Sequence, residues 1–399
     1  MSAHMGDQPA GKSVYLHVGA PTAGAAFLHR VLWANRRRLG DAGVCYPVAG
    51  PQEHFAAVMD LREMSWGGHR DPSWDGAWDR MARRARDWDG PTVVFSQTLL
   101  GGATEQQARR AVEALEPSEV HVVFATRDLG WQLILDWQEQ IRHAHTITFE
   151  RFVDDLVARG IDAPEPYGEM FWGLHDAVRV LRAWEPAVPK ERVHVLTVPA
   201  PGGGPGAAVG PVPRADRYRR RGVRPRRHRR RRAAARRPRR SCSARLNEKI
   251  GPALGGDYER MVHEHLVGHG LAGDGSDRMG LPARHAEWAA RRTRELADSL
   301  RGSGYDVAGD LEELTTSRAP EAGMLPGDVP DELIAVASVG VVAHLLEELT
   351  LARERVGLAH LQSEMAGVRE NLERLTEAAA SPSPALQRAA RRAAGRRAP

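Results

Sequence analysis

The chain lacks most of what builds secreted, metal-held or membrane-bound proteins. Only Cys45 and Cys242 are cysteines among 399 residues. That excludes a multi-disulfide framework and fits a reducing cytoplasm. The 17 histidines show no H-E-x-x-H or related spacing, and paired cysteines are absent, so no metal site is expected. Residues 1–11 contain no apolar leader core, and no apolar run reads as long enough to cross a bilayer. A soluble cytoplasmic protein without a membrane partner is the expectation. Lysine is nearly absent, at Lys12, Lys190 and Lys249, so arginine carries the positive charge.

The net charge of +5 does not describe the whole chain. Residues 214–240 hold sixteen arginines against one acid, Asp216, and supply +15, which leaves −10 for the remaining residues. An acidic chain thus carries one basic insert. The insert spans 202–243, opens with Gly and Pro repeats, and has no apolar period with which to build a core. It has three readings: a polyanion-binding arm, a solvated loop, or a stretch translated out of frame in a GC-rich gene. Base-stacking aromatics are represented by Tyr218 alone, which disfavours nucleic acid as a partner.

Hydrophobic content of 42% allows one large core or two. Apolar, β-branched runs at 14–18, 92–96, 120–126 and 192–198 read as buried parallel strands. Helical patterns at 105–115, 131–143, 148–159 and 171–184 lie between them. After the insert, helices are expected at 257–267 and 283–300. The alternation makes the chain α/β, with helices on both faces of a parallel sheet.

The first strand runs into Gly19-Ala20-Pro21-Thr22-Ala23-Gly24 and then a helical stretch from Ala25. A strand that turns through glycines into a helix N-terminus presents free N–H groups and the helix dipole to an anion. This stretch resembles the first motif of sulfotransferases, the G-x-P-K-[ST]-G-[ST]-[ST] loop that holds the 5′-phosphosulfate of the donor PAPS. Gly19, Pro21, Gly24 and Leu28 match. Thr22 stands at the lysine position, and Ala23, Ala25 and Ala26 stand at hydroxyl positions. A second match is Arg127-Asp128 at a strand end, where the resemblance implies that the arginine grips the donor's 3′-phosphate; Leu135 occupies the position of a supporting serine. Read without the resemblance, Arg127 and Asp128 cap the next helix or pair with each other. A third is Ser96-Gln97-Thr98, where actinobacterial-type relatives read S-x-E-x-L and Thr98 replaces a candidate catalytic acid. A neutral hydroxyl cannot serve as a base near pH 7. A His-Phe pair recurs in the family resembled, so the resemblance implies His54, in Glu53-His54-Phe55, as the candidate base; read alone, a single histidine is structural.

The resemblance covers residues 13–200 and 244–315. It implies a P-loop NTPase-like sheet that uses PAPS as co-substrate without a metal. The cofactor-binding candidates are Gly19, Pro21, Thr22, Ala23, Gly24, Ala25, Ala26 and Arg127, and the catalytic candidate is His54. The implied activity is transfer of a sulfuryl group from PAPS to a hydroxyl or amine of a small molecule. The alternatives are a non-catalytic relative acting as a binding scaffold and, third, a polyanion binder acting through the insert.

The expected organisation is an N-terminal segment 1–12 without order, an α/β domain at 13–317 interrupted by 202–243, and a linker at 318–330. A helical tail at 331–378 and a basic end at 379–399 follow. Leu358, Leu361, Met365, Val368, Leu372 and Leu375 alternate three and four apart, the pattern of a short coiled coil. That stripe supports either self-association or folding back onto the domain.

Overall fold

Strand 92–96 lies beside strand 14–18, as their apolar, β-branched sequences require of a sheet covered on both faces. A computed structural model describes residues 11–66, 69–200, 243–249, 279–316, 318–320 and 325–380. The basic insert and the helix expected at 257–267 lie outside the described residues. The strands are β1 (Ser13–Gly19), β2 (Val44–Cys45), β3 (Thr92–Ser96), β4 (Glu119–Thr126), β5 (Val193–Thr197) and β6 (Asp306–Ala308). They form one parallel sheet in the order β2-β3-β1-β4-β5-β6. This is the expected α/β, P-loop-like arrangement, with β1 in the middle.

The helices are α1 (Ala25–Asp41), α2 (Glu53–Leu61), α3 (Ala77–Arg86), α4 (Glu105–Glu113), α5 (Leu129–Arg142), α6 (Phe149–Arg159), α7 (Tyr167–His175), α8 (Ala177–Trp184), α9 (Ala283–Arg301), α10 (Leu311–Thr316) and α11 (Asp331–Ala380). One expected helix, 171–184, is two. Asp176 turns out of helical geometry, and its Oδ1 accepts from the N–H groups of Val178 and Arg179, at 3.1 Å each. A side-chain cap of this kind starts a new helix, so α7 ends at His175. Strands β2 and β6 carry too few residues for an alternation to show in the sequence.

Two apolar clusters organise the packing. One joins the sheet to α2, α3, α4 and α8 through residues such as Leu16, Phe95, Phe124, Trp78 and Trp184. The other joins α5, α6, α7 and α9 around Trp137, Phe149, Phe152 and Phe171. Tyr15, His121 and His194 stack across β1, β4 and β5, and His194 bonds to Asp306 of β6 at 2.7 Å.

The chain divides into two units, one ending at Ser338 and one beginning at Val339. In α11, Val336 and Leu333 of the first unit are exposed, as are Val339, Val342, Leu346 and Leu349 of the second. Residues Asp331–Glu354 are long and apolar enough to cross a membrane by length and composition, with a mean hydropathy of 1.7. This corrects the expectation that no such run exists. Several small residues (Ala335, Ala337, Gly340, Ala343) dilute the apolar signal in the sequence. Of the heptad stripe, Met365 is 72% exposed; the other five side chains lie outside the described residues.

Gly19 marks where β1 leaves the sheet. Its α-carbon faces the ring of buried Phe124, and a Cβ there would collide with the ring. Gly19→Ala is expected to destabilise the fold by about 1–3 kcal/mol through overpacking, read as a lower urea midpoint. Gly40→Ala in α1 meets only Trp88 at an ordinary 3.8 Å. It is expected to be neutral or to stabilise by up to about 1 kcal/mol.

Candidate functional site at the carboxyl edge of the sheet

The Gly19–Gly24 loop sits beyond the carboxyl end of β1, where open parallel sheets collect ligands. The β1–β4 register shifts between His17 and Gly19. The ladder then continues into the loop, because Ala20 N donates to Ala125 O at 2.6 Å. Thr22 takes a left-handed backbone, φ 61°, and Gly24 precedes α1 at φ 95°. Left-handed backbone costs little for glycine and more for threonine. No side chain caps α1, and its first turn has no acid. The amide groups of that turn are therefore not claimed by a carboxylate. Ala23 and Ala25 are buried, whereas Ala26 and Phe27 are exposed. Thr22 Oγ1 is buried with no hydrogen-bond partner among the described residues.

Arg127 and Asp128 follow β4 directly and are both buried. Their roles separate. Asp128 Oδ1 accepts from Trp131 N and Ala319 N, each at 3.0 Å, and Oδ2 accepts from Thr293 Oγ1 at 3.2 Å. Asp128 caps α5 and ties it to α9 and to residue 319. Burial nevertheless raises its pKa above the usual carboxylate value. Arg127 lies close enough to buried His175 of α7 to oppose that ring's protonation, and the Pro21 carbonyl of the loop lies beside the same ring. The structure thus brings the loop and Arg127 to one place, the carboxyl edge of β1 and β4.

His54 belongs to a different wall. It lies in the first turn of α2, and its ring meets His29 of α1 edge-on, with centroids 4.6 Å apart. His29 in turn lies near the backbone of Ser96. Ser96 Oγ bonds to His17 Nδ1 at 2.7 Å. The three histidines form a half-buried to buried row from β1 across α1 to α2. Burial pushes His17 and His54 down to about 4 and lowers His29 as well. Thr98 is buried in the turn that follows β3. Among the described residues, no group of three or more His, Cys, Asp or Glu is disposed to hold a metal.

Sequence reasoning did not single out His17, His29, Gln132 or Asp136. Gln132, Asp136 and Gln140 are buried at successive turns of α5. Three buried polar residues at i, i+4 and i+8 among the apolar residues of this helix were a readable signal. A histidine inside a strand of valine and leucine was another.

The fold and loop define a class: a parallel α/β protein with a glycine-containing loop after its central first strand and an arginine at the end of the neighbouring strand. No protein-family model and no curated protein sequence matches the chain. A solved sulfotransferase from Alicyclobacillus acidocaldarius is similar over 72% of this chain and 93% of its own, at 14% identity and a TM-score of 0.38.

The buried imidazoles make stability depend on acid. An unfolded histidine takes a proton near pH 6.5, whereas His17 in the fold does not until about 4. Stability is complete above about pH 6.5 and falls as the pH drops toward 4. Urea midpoints at pH 7.5 and 4.5 are expected to show a loss of about 2 kcal/mol from His17 alone. His17→Gln should reduce that dependence by this share, leaving the part due to His54 and His175.

Proposed function

We propose that this protein is a sulfotransferase-type enzyme of low intrinsic rate, which binds PAPS at the Gly19–Ala26 loop and passes the sulfuryl group to a hydroxyl or amine of a small molecule. The observation that carries the reading is the joining of loop and arginine. Ala20 is hydrogen-bonded to the end of β4, and Arg127 leaves β4 two residues later. The uncapped first turn of α1 suits an anionic group. The orphaned Thr22 hydroxyl suits a phosphate oxygen. A guanidinium offers paired donors to the second phosphate.

In such a reaction the acceptor oxygen or nitrogen attacks sulfur in line. The bond from sulfur to the 5′-phosphate oxygen breaks, and PAP leaves with the electron pair. The acceptor's proton passes to a base, for which His54 is the candidate. Its lowered pKa keeps the ring neutral at pH 7 with a free lone pair, but makes it a weak base. Thr22 offers one hydrogen bond and no charge to the leaving phosphate. Losing a charged donor from a dry site typically costs on the order of 3 kcal/mol of barrier, about a hundredfold in rate.

A second reading, a non-catalytic relative that binds the nucleotide, is favoured by the same neutral residues at 22, 23, 25, 26 and 98. Self-association through α11 remains open to it, and a cytoplasmic setting suits the free Cys45 thiol. The polyanion reading rests on residues outside those described.

Calorimetry with the desulfated nucleotide PAP tests the site. Binding is expected, and Arg127→Ala should weaken it at least tenfold. No heat at millimolar PAP would remove both nucleotide readings. Turnover separates them. Combining Thr22→Lys, Ala23→Thr and Thr98→Glu should raise sulfuryl transfer about a hundredfold, whereas a binding scaffold would stay inactive with PAP still bound.

A further inference from the structure

A seam of buried polar groups runs through apolar packing behind the loop. Gln132, Asp136 and Gln140 lie on one face of α5, and the side chain of His175 at the end of α7 is fully buried against it. His175 Nδ1 donates to Phe171 O at 3.1 Å, and the ring stacks on Phe171 with centroids 4.7 Å apart. A carbonyl can only accept, so this bond is made when Nδ1 carries hydrogen, and the Pro21 carbonyl beside the ring is a second acceptor. Nε2 lies 3.9 Å from Asp136 Oδ1 and has no hydrogen-bond partner among the described residues. Gln140 Nε2 donates to Asp136 Oδ2 at 3.3 Å. Neither polar atom of the Gln132 side chain is paired among the described residues. Buried polar groups left unpaired cost stability, and apolar residues would pack the same space at less cost. The seam contributes little to the core itself. What it touches is the site, because His175 lies beside both the Pro21 carbonyl and Arg127.

We propose that Asp136 and His175 are positioning residues for the anion site. The His175 ring lies beside the Pro21 carbonyl and within electrostatic reach of Arg127, and Asp136, 3.9 Å from that ring, sets the charge behind them. The inference rests on the reading of the loop as an anion site. Glu139 and His143 on α5 also act on Asp136. From α7 it faces His175, and Arg127 lies beyond that ring. Helices α6 and α9 meet α5 through Phe149, Phe152, Ala289 and Thr293.

Burial holds the Asp136 carboxyl up to about 7 and pushes His175 down to about 4. Between those values the pair carries one proton and no net charge. Above pH 7 it carries one negative charge, which opposes a bound anion. Donor affinity is therefore highest below pH 7 and falls as the pH rises through it.

The test is PAP titration from pH 6.5 to 8.5, with amide exchange of residues 22–27 as a readout that needs no nucleotide. The wild-type protein should lose about tenfold in affinity across that range. Asp136→Asn should bind with no such loss, and His175→Gln should bind weakly throughout. His175→Gln should also speed exchange of residues 22–27 about tenfold while β1 and β4 keep their protection. An equal pH loss in Asp136→Asn, or unchanged loop exchange in His175→Gln, would overturn the inference with the site reading intact. Absence of PAP binding in wild type would overturn the site reading instead, and loop exchange would still decide whether His175 holds the loop.

Discussion

The amide of Ala20 bonds to the carbonyl of Ala125, and the site depends on this one contact. It carries the β1–β4 ladder past the end of β1 and pins the loop to the strand that delivers Arg127. Gly19 makes the contact possible, because only a residue without a side chain can lie against Phe124 there. Loop, arginine and α1 are then placed by the sheet rather than by their own side chains. This is how a loop with alanines at 23, 25 and 26 is held at the sheet edge without anchoring side chains of its own.

Among the described residues, the same edge of the sheet gathers several ionisable groups that burial keeps neutral or that hydrogen bonds hold in place. Asp128 is spent on three hydrogen-bond donors. His17, His29 and His54 are held uncharged by burial. Among the described residues, positive charge at this edge comes from Arg127 and from the partial charge of the α1 N-terminus.

Much of the frame was legible in the sequence, because buried parallel strands are apolar runs and a β–α turn shows its glycines. Strand 92–96 and the start of α1 at Ala25 emerge as read. The break at Asp176 did not, since Phe171, Leu174, Val178 and Leu181 keep a helical period across it, and a capping aspartate looks like any other mid-helix acid. Strands β2 and β6 were too short to carry a period. The positions of the glycine loop and Arg127 at strand ends could be read from the sequence. The role of Asp128 and the proximity of His175 to Pro21 could not, because both depend on residues far apart in the chain. The left-handed backbone of Thr22 left no trace either, since threonine is not the residue that such a turn selects.

Asp128 has a consequence for how the molecule is made. Its second oxygen bonds Thr293, whose hydroxyl also takes the Leu129 amide 164 residues earlier in the chain. While the protein emerges from the ribosome, β1, β3 and β4 are all complete long before α9 exists. Until then, a carboxylate destined for a dry interior has one of its three donors, and closing so long a loop is slow. The edge of the sheet that holds the arginine is thus completed late, and a nascent chain cut short before residue 293 would carry the motif without the walls that shape it.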